Sequence, residues 1–201
     1  MLDKLFHDFI TLFVVVNPIG TVPLFIAIAG QENRGRQRQI ALQGAIVAAL
    51  ILVFFIAIGQ LLLEALGVEL SAFQIAGGLV LLIIALRMIL EDVRVVSIDT
   101  TQVRNVAVFP LAMPFLAGPA AITAVILLTD NNVYAVREQA TTALVMIAVM
   151  LITYGCLVGA QRVQLILGAT GANVVSRIMG LILAALAVQS MLGGLRQFKF
   201  S

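Results

Sequence analysis

The sequence predicts an all-α integral membrane protein: six transmembrane helices arranged as two inverted three-helix repeats, with helices 1 and 4 broken near mid-membrane. Three observations carry that expectation. Apolar residues make up 62% of the chain and charged residues only 11%, far below the roughly 25% charge of a soluble domain, and the mean hydropathy is +1.13. The apolar residues fall into continuous runs of roughly 20, the length that crosses a bilayer as a helix. Finally, the features of the first half recur in the second half in the same order. A lipid-embedded backbone satisfies its own hydrogen bonds only as a helix or a closed barrel. These runs lack the alternation of barrel strands.

The residue inventory removes several function classes. Cys156 is the only cysteine and His7 the only histidine, so neither an intramolecular disulfide nor a Cys- or His-based metal cluster can be built in one chain. There is no HExxH motif, and no enzyme activity or cofactor is expected. The net charge of +2 is small, and its cations sit in loops and at span ends, so no nucleic-acid partner is implied. The N-terminal apolar stretch runs past Ile28 without a small-x-small cleavage site and reads as a retained first span rather than a signal peptide.

Taken in order, the spans are expected at about Leu5–Ala29, Ile40–Leu63, Ala72–Leu90, Ala107–Leu128, Ala140–Ala160 and Asn173–Gly194. The connections are a basic loop at Gln31–Arg38, a turn at Glu64–Ser71 around Gly67, a polar loop at Glu91–Asn105, and loops at Thr129–Gln139 and Gln161–Ala172. Ser71 and Asn173 are candidate N-caps. The whole chain, 1–201, reads as one transmembrane domain, with 1–90 the first repeat, 91–106 a connection and 107–201 the second repeat.

In the repeat, Asn17-Pro18-Ile19-Gly20-Thr21 falls opposite Gly118-Pro119-Ala120-Ala121-Ile122, Gly67 opposite Gly168, and Gly78-Leu79-Val80-Leu81 opposite Gly180-Leu181-Ile182-Leu183. An odd number of spans per half makes the second half enter the membrane from the other side, which is the inverted arrangement of many secondary transporters. Arg34, Arg36, Arg38, Arg87, Arg94, Arg104, Arg162 and Arg177 fall on one side, against Lys4, Arg137, Arg196 and Lys199 on the other. The arginine-rich side is therefore expected in the cytoplasm and both termini outside.

The chemistry is concentrated in the broken spans. Pro18 and Pro23 each remove a backbone donor and collide with the preceding turn, and Asn17 and Val22 are pushed from helical angles by the prolines that follow them. Pro110, Pro114 and Gly118-Pro119 interrupt span four in the same way. A lone proline kink in a membrane helix is more often structural than functional. Paired breaks at matching depth point to a site, since unpaired backbone there must be buried or line a wet cavity. Each restarted half-helix offers free N–H groups and partial positive charge to a carboxylate. Each half-helix that ends there offers carbonyls to an ammonium or a cation. The expected substrate-binding residues are Asn17, Pro18, Gly20 and Thr21 with Gly118, Pro119, Ala120 and Thr123.

Other residues carry blander readings. Gly155 and Gly159 have GxxxG spacing and suit helix packing, and Gly77-Gly78 and Gly193-Gly194 suit close packing or helix termination. Gln189-Ser190 suits interhelical hydrogen bonding rather than a cavity. Arg87 and Glu91 suit a local ion pair. Asp8, near the start of span one, suits an interfacial position ahead of a proton-coupling role.

Phe13-Val14-Val15-Val16-Asn17-Pro18-Ile19-Gly20-Thr21-Val22-Pro23 resembles the first-span signature of the MarC family. Pro110-Leu111-Ala112-Met113-Pro114-Phe115-Leu116-Ala117-Gly118-Pro119-Ala120-Ala121-Ile122 resembles its fourth-span signature, and Arg177-Ile178-Met179-Gly180-Leu181 its sixth-span motif. The resemblance covers essentially the whole chain. It implies a bacterial or archaeal cytoplasmic (inner) membrane protein, related to neutral amino acid transporters that include carriers of glycine and alanine. The expected function is alternating-access transport of a small neutral amino acid, with a proton or sodium as candidate coupling ion and the oligomeric state left open. The alternatives are a passive channel for a small polar solute and a non-transporting membrane scaffold.

Overall fold

The computed structural model describes residues 2–30, 32–90, 107–131 and 133–199. Among them every regular element is helical: α1 (Leu2–Val16), α2 (Pro18–Ala29), α3 (Arg34–Ala65), α4 (Leu70–Leu90), a kinked segment (Ala107–Leu116), α5 (Pro119–Leu128) and α6 (Val136–Lys199). Four stretches are long and apolar enough to cross a membrane: Asp3–Ile26, Arg34–Ala65, Leu70–Leu90 and Val136–Ala160. Pro119–Leu128 and Gly180–Arg196 are shorter apolar helices.

Helix α3 shows which solvent these helices face. Leu42, Ile46, Leu50, Phe54, Ile58 and Leu61 are exposed and recur three or four residues apart, so they form one continuous stripe. The opposite face buries Ile40, Ala41, Gly44, Ala45, Ala48, Leu52 and Leu63. Small residues predominate on the buried face and let the bundle approach closely, whereas the exposed stripe consists of large apolar ones. That inverts a soluble helix and fits a hydrocarbon surround.

One end of the bundle gathers the start of α1, the α3–α4 turn, the α5–α6 connection and the last turns of α6. Lys4 Nζ reaches the Leu128 carbonyl at 3.3 Å and Thr142 Oγ1 at 2.9 Å. The Asn131 N–H donates to Gln60 Oε1 at 3.0 Å, and Gly194 lies against Ser71 and Ile75. The α3–α4 turn passes through Gly67 at φ 63, a left-handed angle that glycine adopts without steric penalty.

Helix α6 has 64 residues, and helical backbone replaces the loop expected at Gln161–Ala172. No proline follows Pro119, so nothing in that stretch forces the backbone bonds open. Asn173 accordingly lies within helical backbone. The axis nevertheless doubles back. Thr142 is bonded to Asp8 at 2.7 Å, while Ser190 and Gly193 share a cleft with His7 and Thr11. A straight helix would hold Thr142 and Ser190 about 70 Å apart. The first arm packs on α1, α2 and α3. The second packs along α4, with Gly78 against Ala187 and Met191, and Gly180 against Ala85 and Ile89.

Other expectations are corrected by local chemistry. The basic segment is not all loop: α3 begins at Arg34, because Asn33 Oδ1 accepts the Arg36 N–H at 2.9 Å. Ser71 lies inside α4, and its hydroxyl donates to Glu69 Oε2 at 2.9 Å rather than capping. Pro23 and Val22 stay helical within α2, since Val22, Leu24, Phe25 and Ile26 are all buried and that packing outweighs the pre-proline preference. No described residue lies where a Cβ on Gly155 or Gly159 would fall, so the GxxxG face packs against none of the described residues. The connection 91–106, with Glu91, Arg94 and Arg104, lies outside the described residues.

Candidate functional site

Both interruptions fall where the prolines put them, by different means. Between α1 and α2 only Asn17 leaves the helix, in the left-handed region at φ 51, ψ 63. It is the only non-glycine residue with positive φ among those described, and asparagine is one of the few residues that tolerates it. Pro18 takes the first position of α2, where its missing N–H is no loss. The Asn17 side-chain oxygen then accepts the Gly20 N–H at 3.0 Å, and the Thr21 hydroxyl donates back to the Asn17 carbonyl at 2.9 Å. A Cβ at Gly20 would collide with the Asn17 side chain. The start of α2 is therefore closed by its own cap.

In the kinked segment the two non-helical residues are Phe109 (φ −129, ψ 127) and Met113 (φ −128, ψ 126). They directly precede Pro110 and Pro114, so the pre-proline clash places both. Gly118, before Pro119, is extended at φ −75, ψ 169 and forms no side-chain cap on α5. After Pro119, the next two N–H groups have no intrahelical acceptor; Ile122 is the first to bond back, to the Gly118 carbonyl at 2.9 Å. The start of α5 is open.

That open end borders a cleft of about 430 Å³. Its lining comes from α1 (His7, Thr11, Val15), α4 (Gln74, Leu81), α5 (Ala120, Thr123, Ala124 and the leucines beyond) and the second arm of α6 (Leu183, Gln189, Ser190, Gly193). Of the residues expected at the site, Ala120 and Thr123 line it. Gly118 and Pro119 immediately precede them, with Pro119 against Gly77 of α4. Asn17, Pro18, Gly20 and Thr21 are not among its lining residues, although Val15, in the last turn of α1, is. Gln189 and Ser190 do line it, and the Ser190 hydroxyl donates to the Gln74 carbonyl at 3.2 Å. Both a cavity role and an interhelical bond are thus realised. Gln74 and Thr11 escaped the sequence reading. A single glutamine or threonine in an apolar run carries no periodic signal, and only the packing of α4 on α5 brings Gln74 to the cleft.

Next to the cleft, Asp8 is 1% exposed and packs within the protein. Its Oδ2 takes the Lys4 ammonium at 2.8 Å and the Thr142 hydroxyl at 2.7 Å. Lys4 also stands 4.2 Å from the centre of the Tyr134 ring. This network ties α1 to both α5 and α6.

Continuous apolar helices and an outward hydrophobic stripe define an integral multi-pass membrane protein. The family model for MarC family integral membrane proteins matches residues 2–198, and the chain belongs to that family. It is 35% identical over 188 residues to a UPF0056 membrane protein of Pyrococcus horikoshii, covering 92% of this chain and 90% of that one. It is 34% identical over 197 residues to a UPF0056 membrane protein of Aquifex aeolicus, covering 94% and 90%. It is 30% identical over 207 residues to the UPF0056 membrane protein YvbG of Bacillus subtilis, covering 98% and 96%. No solved structure matches the chain.

Proposed function

We propose that this protein is a secondary transporter that moves a small neutral amino acid, of the glycine and alanine class, across the cytoplasmic membrane by alternating access. The observation that carries the proposal is a reciprocal contact. Gly78 packs on Ala187 and Met191, and Gly180 packs on Ala85 and Ile89. Gly78 and Gly180 are equivalents in the sequence repeat; Ala85 and Ile89 follow Gly78 at the same spacings as Ala187 and Met191 follow Gly180. Two elements that exchange equivalent contacts are related by a two-fold operation. This supports two inverted three-helix repeats with six spans, the second arm of α6 counting as the sixth.

In such transporters the substrate sits where discontinuous helices of the two repeats meet, near the midplane. The ten residues of α5 reach about 15 Å from the end of the bundle that holds Lys4, half of a roughly 30 Å hydrocarbon core. The proposed site comprises Asn17, Pro18, Gly20 and Thr21 from one repeat with Gly118, Pro119, Ala120 and Thr123 from the other. The arginine asymmetry supports termini outside. The test is counterflow of labelled glycine or alanine in proteoliposomes of the purified protein. Saturable counterflow is expected; a non-saturable leak would identify a channel, and no flux under any ion gradient would leave a scaffold.

A further inference from the structure

The five buried threonines of the described chain are Thr21, Thr123, Thr129, Thr142 and Thr153. Thr142 donates to Asp8 Oδ2, and three others donate to the carbonyl four residues back: Thr21 to Asn17, Thr129 to Val125 and Thr153 to Val149. This is the usual resort of a hydroxyl in an apolar helix. Thr123 is the exception. It is 4% exposed, and its Oγ1 has no hydrogen-bond partner. The same is true of Gln74 Oε1. Both residues line the cleft at the start of α5. A buried polar atom left unpaired is costly, and two around one cavity mark a place completed by something that brings its own hydrogen bonds.

The two breaks differ in what they can offer such a ligand. At α2 the N-terminal N–H of Gly20 is already taken by Asn17. At α5 the cap is a glycine with no side chain, so the N–H groups of Ala120 and Ala121 point outward with the partial positive charge of the helix end. Thr123 stands one turn along α5. Across from it, Gly77 receives Pro119, and Gln74 lies one turn earlier on the same face of α4. A donor-rich anion seat and an acceptor amide thus face each other across one cleft. The only titratable group among the residues that line the cleft is His7.

We propose that the carboxylate of an α-amino acid docks on the Ala120 and Ala121 N–H groups and the Thr123 hydroxyl, while its ammonium is held by the Gln74 amide oxygen. This rests on the transporter reading and assigns the two ends of its substrate. Leu81, Ala124 and Leu183 supply apolar wall for the side chain, and the balanced polar pair selects a zwitterion over a charged amine or acid.

The experiment is equilibrium binding of labelled L-alanine to the purified full-length protein, with propionate (no ammonium) and L-alaninamide (no carboxylate) as competitors. Thr123→Val and Gln74→Met should each weaken alanine binding at least about tenfold, the scale of a lost hydrogen bond to a charged group. Thr123→Ser should bind like wild type. Neither competitor should displace alanine at concentrations where unlabelled alanine does. If folded Thr123→Val and Gln74→Met both bind within twofold of wild type, the assignment is overturned. Should those variants fail to fold, effective displacement by propionate or alaninamide overturns it with the wild-type chain alone. A wild type that binds no neutral amino acid overturns the transporter reading itself, and this assignment with it.

Discussion

The Asn17 side-chain oxygen accepts the Gly20 N–H at 3.0 Å while the Asn17 backbone holds φ 51. One residue thereby turns the chain and caps the helix that restarts. Asn17→Ala loses both functions: alanine in the left-handed region costs about 1–2 kcal/mol, and a lost N-cap about 1 kcal/mol. Asn17→Gly keeps the backbone angle at a cap cost of only a few tenths of a kcal/mol. Thermal unfolding in detergent should therefore rank wild type above Asn17→Gly and both above Asn17→Ala. Equal melting temperatures for the two variants would show that the angle is not what the sequence protects.

The Lys4–Asp8–Thr142 network predicts a strong non-additivity. Removing one partner of a buried ion pair leaves an uncompensated charge, at a cost of roughly 3–5 kcal/mol when fully dry. Lys4 is 17% exposed, so Asp8→Leu, which strands the lysine, should cost less than Lys4→Met, which strands the buried carboxylate. The double variant should lie nearer wild type than Lys4→Met. Unfolding measurements on the set of four proteins check this, and simple additivity of the two losses would refute it.

The glycines divide into two groups. A Cβ at Gly78 would stand 2.8 Å from the Ala187 carbonyl oxygen, and one at Gly180 would stand 3.0 Å from that of Ala85. Backbone cannot yield as a flexible side chain can, so Gly78→Ala and Gly180→Ala should both lower the melting temperature. Gly155→Ala and Gly159→Ala meet no described residue and gain up to about 1 kcal/mol each in helix propensity. These two should be neutral or stabilising in the purified protein; a marked loss there would reveal a packing partner.

Topology follows from charge. In a Cys156→Ala background, Gly35→Cys should resist a membrane-impermeant maleimide applied to intact cells, and Val68→Cys should react. The reverse pattern would turn the protein over in the membrane.

Much of this was legible in the residues. Composition and run length announce the membrane class, and the pre-proline rule foretells extended backbone at Phe109, Met113 and Gly118. Three things were not legible. Val22 and Pro23 remain helical because neighbours from other parts of the chain bury them, and no local rule sees that. Helical backbone between Ala160 and Gly180 was hidden by Gly168 and Gly171, which read as a loop. The cleft was half seen: Thr123 stands in the motif next to the break, whereas Gln74 reaches it only through the approach of Pro119 to Gly77. The asymmetry of the two breaks was also invisible, since Asn-Pro and Gly-Pro interrupt a helix equally well. Only geometry shows that the first closes on itself and the second stays open.

The central claim is that substrate meets backbone at the open start of α5. Gly118 is buried there, and its extended angles admit any residue, so Gly118→Leu adds bulk without backbone strain. The measurement is labelled alanine counterflow into proteoliposomes for wild type and Gly118→Leu, with gel filtration showing both folded. Saturable counterflow by wild type and none by Gly118→Leu is the predicted result. A folded Gly118→Leu that transports like wild type would contradict it and reduce the breaks to structural kinks.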